Sequence, residues 1–190
     1  APKPPAAKVG PGFFIVGDNG FNRAALFNRE GVLLWQYKSS RVYDVHLLPS
    51  GNVLFTHDGG VTEVTPAKKV AFQYKTKSEV FSCQRLANGN TLIAECTAER
   101  ILEVDPKGTI VKEIKTQSPS KGHKHMRCAR KTAAGTYLVA HLGEQVIKEF
   151  LENKELYINM VLAIVQTAVV QTLIGGKNIV IAPMIINFII

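Results

Sequence analysis

Hydrophobic positions in this chain come in short consecutive runs, each cornered by glycine or asparagine, and the runs repeat. Leu86-Ala-Asn-Gly-Asn-Thr-Leu-Ile-Ala94 is the clearest, with Leu48-Pro-Ser-Gly-Asn-Val-Leu-Phe55 before it and Thr132-Ala-Ala-Gly-Thr-Tyr-Leu-Val-Ala140 after it. Gln171 to Ala182 reads as a further copy with a small insertion. An apolar residue, a turn that needs positive φ and a β-branched run together predict a hairpin. A second pair of strands recurs behind it: Val61-Thr-Glu-Val64 with Val70 to Tyr74, Ile101-Leu-Glu-Val104 with Thr109 to Ile114, and Val146 to Phe150 with Glu155 to Ile158. Phe27, Val64, Val104 and Phe150 are thus equivalent, 37, 40 and 46 residues apart, while Gly51, Gly89 and Gly135 stand 38 and 46 apart. Two independent landmarks drift together.

Four short antiparallel strands recurring at about 40 residues describe a β-propeller blade. A blade buries both faces only by stacking on neighbours, which explains the unbroken apolar runs. The expected fold class is therefore all-β, a propeller of four-stranded antiparallel blades with about five repeats visible and three complete. Residues 1–11 are expected as an extended or disordered tail. The blades fall at roughly 12–40 (partial), 41–79, 80–119, 120–160 and 161–190 (partial). The first repeat begins at its second strand, so the ring is expected to be incomplete in this chain, or closed with another chain.

Composition changes this picture little. Apolar residues at 46% and charged residues at 20% suit a core-forming protein and argue against disorder. The net charge of +8 is spread singly over turns and strand ends, apart from a cluster at Lys121 to Lys131, which fits a basic solvated exterior. No interleaving of aromatic with basic residues and no zinc-finger spacing points to nucleic acid. The opening Ala1-Pro-Lys-Pro-Pro resembles the end left by signal-peptide cleavage, so export to a periplasmic or extracellular location is expected. Cys83, Cys96 and Cys128 have no metal-ligand spacing and read as core thiols. Residues 156–190 are nearly uncharged. Their repeat pattern predicts part of a fifth blade, with membrane contact through residues 156–190 as the other reading.

Leu48-Pro-Ser-Gly-Asn52, Leu86-Ala-Asn-Gly-Asn90, Glu103-Val-Asp-Pro-Lys-Gly108 and Gly31-Val-Leu-Leu-Trp35 give the chain a resemblance to the PQQ-like and arylsulfotransferase-like bacterial β-propellers. The resemblance covers residues 13 to about 158 and lacks the Gly-His and Trp-Asp pairs of WD40 repeats. It implies a fold used by enzymes, receptors and scaffolds alike. In the arylsulfotransferase branch a channel histidine accepts the sulfuryl group, but no motif here transfers that role to a particular histidine.

Propeller ligands sit on the channel axis, reached by the innermost strands and the loops at one end. Alignment on the hairpin glycines puts His46, Gln84 and Arg130 at one position of the first strand. It puts His57, Glu95 and His141 at one position just after the second. These six are the candidate ligand-binding residues. The second trio has the chemistry of a metal or acid–base cluster, or of equivalent solvated loop positions. Asp44 can orient His46 if both face the channel. His123 and His125, two apart, would point the same way in an extended strand. Trp35 is expected to pack between blades. No phosphate loop, dinucleotide fingerprint, nucleophile elbow, calcium loop or haem motif occurs. No cofactor is expected, since neither a quinone nor a metal has support in the pattern. The expected function is a binding or scaffold module with a protein partner or a place in a larger assembly. The alternatives are an arylsulfotransferase-like or quinoprotein-like enzyme with its site on the axis, and a propeller anchored in a membrane.

Overall fold

The computed structural model describes residues 12–151 and 154–161. The expectations for residues 1–11 and for a fifth blade or membrane segment beyond residue 161 lie outside them. Among the described residues four antiparallel sheets follow one another. The first holds β1 (Phe14–Asp18), β2 (Arg23–Phe27) and β3 (Leu33–Lys38). The second holds β4 (Val45–Leu47), β5 (Val53–His57), β6 (Gly60–Val64) and β7 (Val70–Lys75). The third holds β8 (Val80–Arg85), β9 (Thr91–Glu95), β10 (Arg100–Val104) and β11 (Ile110–Lys115). The fourth holds β12 (Cys128–Lys131), β13 (Tyr137–His141), β14 (Val146–Leu151) and β15 (Lys154–Val161). In each, sequence neighbours pair, so each sheet is a meander. Among the described residues the first has no counterpart of β4, β8 and β12. Among the described residues no helix is long and apolar enough to cross a membrane, and residues 154–161 pair with β14 as an outer strand.

The turns are where the sequence placed them. Gly51, Gly89 and Gly135 have φ of 82°, 87° and 86°, which glycine adopts without steric cost. Each closes a turn by donating its N–H to the residue three before it: Leu48, Leu86 and Thr132.

Period-2 alternation sends successive residues of each sheet to opposite neighbours. In the third sheet Val80, Cys83, Ile93, Leu102 and Val104 pack against Leu54, Val61, Phe72 and Tyr74 of the second. On its other face Phe81, Leu92, Ala94, Ile101 and Ile114 meet Ala129, Tyr137, Val139 and Phe150 of the fourth. Polar residues on either face would lose their water, hence the unbroken runs. The last strand of the first and second sheets leans over the next: Tyr37 packs 5.7 Å from Phe55, and Tyr74 donates its hydroxyl to Glu95 at 3.1 Å. Trp35 also bridges, its Nε1–H donating to Pro66 O at 3.0 Å. Trp35→Phe keeps most of the ring but loses this bond, and should cost about 1 kcal/mol in chemical denaturation.

Candidate functional site at the inner strands

The equivalences read from the hairpin glycines hold in the sheet register. His46 lies opposite Leu54, Gln84 opposite Leu92 and Arg130 opposite Leu138, so the first trio occupies one level of the three inner strands. The second trio closes the second strands rather than following them, because His57, Glu95 and His141 are the last residues of β5, β9 and β13. Asp18 ends β1 in the same way.

This second trio is not brought together. Each member is held within or beside its own sheet. His57 contacts Asp58 O at 2.6 Å through Nδ1 and Thr62 Oγ1 at 2.9 Å through Nε2. Glu95, fully buried, accepts from Arg100 Nε at 2.6 Å and from Tyr74, and Arg100 reaches on to Glu113 at 2.8 Å. Asp18 repeats the arrangement with Arg23 and Gln36 at 2.9 and 2.7 Å. His141 Nδ1 donates to His125 O at 2.9 Å, while its Nε2 is buried without a partner. Burial above all pushes the His141 imidazole down to about 4. These residues are the polar pegs of four separate sheets.

His123 and His125 part company as well, because Gly122–Lys124 forms a 3-10 turn in place of the extended strand assumed for them. His123 turns outward to Glu79, 3.0 Å away, whereas His125 is buried on Thr116 Oγ1 at 2.7 Å.

The inner-strand level is different, for here one carboxylate gathers three sheets. Asp44 immediately precedes β4. Its Oδ2 accepts from Cys83 N on β8 at 3.0 Å and from Arg130 Nη2 on β12 at 2.9 Å. Its Oδ1 lies 3.0 Å from His46 Nε2. Burial alone would raise the Asp44 pKa, but the His46 imidazole and the Arg130 guanidinium outweigh it and hold the carboxyl below its usual value. The Cys83 thiol is pushed well above the usual range, first by burial and then by Asp44. Gln84, the remaining candidate, faces the next sheet and accepts from Lys131 N at 2.9 Å. Ser82 Oγ does the same for Ala129 N at 2.8 Å. Asp44, Ser82 and Gln84 thus cap the N–H groups of the following inner strand, which its own sheet leaves unpaired at that edge.

A second inter-sheet tie was missed in sequence. Glu63 accepts from Asn52 Nδ2 at 2.6 Å in its own sheet and pairs with Arg85 of the next. Glu103 repeats it with Lys131 at 2.6 Å and also accepts from the Tyr137 hydroxyl. The recurring Glu-Val pair carried this signal.

An open groove of about 850 Å³ lies between the third and fourth sheets, lined by Glu99, Thr116, Lys121, Glu144 and Lys148 among others. No inner-strand residue borders it.

No protein-family model and no curated protein matches the chain. Among solved structures, it is similar to a protein of unknown function from Bacteroides caccae, with a TM-score of 0.69 at 24% identity over 78% of this chain and 57% of that one. A streptogramin B lyase aligns with a TM-score of 0.59 at 13% identity, over 76% of this chain and 53% of the lyase. Catalytically inactive virginiamycin B lyase from Staphylococcus aureus, solved with quinupristin, gives 0.58 at 17% identity, over 74% and 50%. The fold is propeller-like. The chain spans about half the length of these structures, and at such identities the likeness concerns fold alone.

Proposed function

We propose that this chain belongs to a β-propeller serving as a binding or scaffold module, with a protein partner or further copies completing its assembly. The observation that supports this reading is Asp44: its carboxylate is committed to Cys83 and Arg130, joining three successive inner strands. Gln84 is spent in the same way; His57 is bound within its own sheet, Glu95 to Arg100 of its own sheet and Tyr74 of the one before, and His141 to the connection that leads into its sheet. Groups engaged in holding a framework are poorly placed to turn over a substrate.

The enzymatic reading, of the arylsulfotransferase-like or quinoprotein-like kind, draws on the turn motifs and on the Asp44–His46 proximity of 3.0 Å at the hub. Light scattering and an aryl-sulfate assay separate the two. The scaffold reading expects a mass above the 20.8 kDa of one chain, or of one chain plus its partner, and no sulfuryl transfer. A 20.8 kDa species that transfers the sulfuryl group, and loses that activity in His46→Ala, would overturn it.

A further inference from the structure

We propose that Asp44, His46 and Cys83 form a binding site for a borderline-soft divalent cation of the zinc class. One carboxylate oxygen, one imidazole nitrogen and one sulfur lie within 4.8 Å of one another at the inner strands. Around a zinc ion such ligands stand roughly 3.2–3.8 Å apart, given metal–ligand distances near 2.0–2.3 Å, so side-chain rotations closing about 1 Å complete the set. Two of the three ligand atoms already face each other. His46 Nε2 and Asp44 Oδ1 stand 3.0 Å apart, and Oδ1 is left to this contact because Cys83 N and Arg130 both bond to Oδ2.

That division of labour matches a metal centre, where ligating carboxylates are themselves hydrogen-bonded by an outer shell. Arg130 supplies such a bond, with its charge already answered by Asp44. A sulfur and an imidazole in the set disfavour magnesium and calcium, which prefer all-oxygen surroundings. Three protein ligands leave a fourth position for water or a ligand atom. A cysteine–histidine–aspartate nucleophile fits less well, since Cys83 is almost fully buried and its thiol resists ionisation. A metal overcomes that resistance directly. The S–H bond breaks as the sulfur–metal bond forms, the electron pair stays on sulfur, and the proton leaves to solvent.

The test is a Co2+ titration of the reduced, full-length chain under anaerobic conditions, followed by absorption and proton release. One equivalent should bind with a thiolate-to-cobalt band and intense visible bands of low coordination number, release one proton, and be displaced by Zn2+. His46→Ala and Cys83→Ser should each weaken binding by more than the about 10–100-fold typical of losing an outer-shell partner. Cys96→Ser and His57→Ala should leave both band and affinity intact. Only a pale six-coordinate spectrum, or a band that survives in His46→Ala, would overturn the site. If Cys83→Ser does not fold, His46→Ala and Cys96→Ser still decide, because His46 is partly exposed and the band reports the thiolate directly. The proposal does not rest on the scaffold reading, which stands even if cobalt fails to bind.

Discussion

Asp44→Ala is expected to destabilise the protein by about 3–5 kcal/mol, the usual cost of leaving a buried charge without its partner. The Arg130 guanidinium, only 20% exposed, would face Cys83 and Ala129 carbonyls with no countercharge, and Cys83 N–H would lose its acceptor. For a chain of this size that corresponds to a melting-temperature drop on the order of 10 °C, measurable by calorimetry. Asp44→Asn keeps a hydrogen-bond acceptor and should cost less. Adding Arg130→Met to Asp44→Ala should restore part of the loss, since it removes the stranded charge; the coupling between the two is the quantity to measure. If Asp44→Ala stayed within about 1 kcal/mol of the parent, the carboxylate would not be tying the inner strands together.

The second large effect concerns acid. His141 donates from Nδ1 to His125 O, so protonation must place a hydrogen on a buried Nε2 that has no acceptor. Its folded pKa of about 4 lies below the ordinary 6.5, so between these values the unfolded chain binds the proton and the folded one does not. The sign follows directly. The contribution of His141 is fully present above about pH 6.5, declines as the pH falls, and is lost by about pH 4, a change of roughly 3 kcal/mol. His141→Asn retains a donor for His125 O without titrating. Denaturation curves at pH 7, 5.5 and 4 should therefore converge for the variant relative to the parent. A parent and variant with parallel pH profiles would rule out His141 as the responsible group.

Much of the architecture was legible because its signals are local. A glycine that needs positive φ, three residues before an apolar position facing the neighbouring strand, marks the same corner at Gly51, Gly89 and Gly135. Alignment on those corners placed His46, Gln84 and Arg130 at one level correctly. What each side chain does there was not legible, because its partners come from other repeats. Asp44 finds Cys83 39 residues away and Arg130 86 residues away, separations at which no periodicity speaks. Read alone, Asp44 was a companion for His46; in the fold it is the meeting point of three strands. The grouping of His57, Glu95 and His141 failed for a related reason. Equivalence under a repeat puts residues at the same height of different sheets, but contact between them requires that they point to the axis. One local clue existed: Asp18–Arg23 and Glu95–Arg100 share a spacing of five, the reach of a cross-strand ion pair over a tight turn.

The capping between inner strands runs in one direction. Asp44, Ser82 and Gln84 supply oxygens, and the N–H groups they satisfy belong to the strand that comes later in the chain. Shortening the polypeptide therefore has unequal effects at its two ends. Trimming from the carboxyl side frees oxygens that water can solvate, whereas removing residues 12–79 would leave the Cys83 amide bare on an apolar flank.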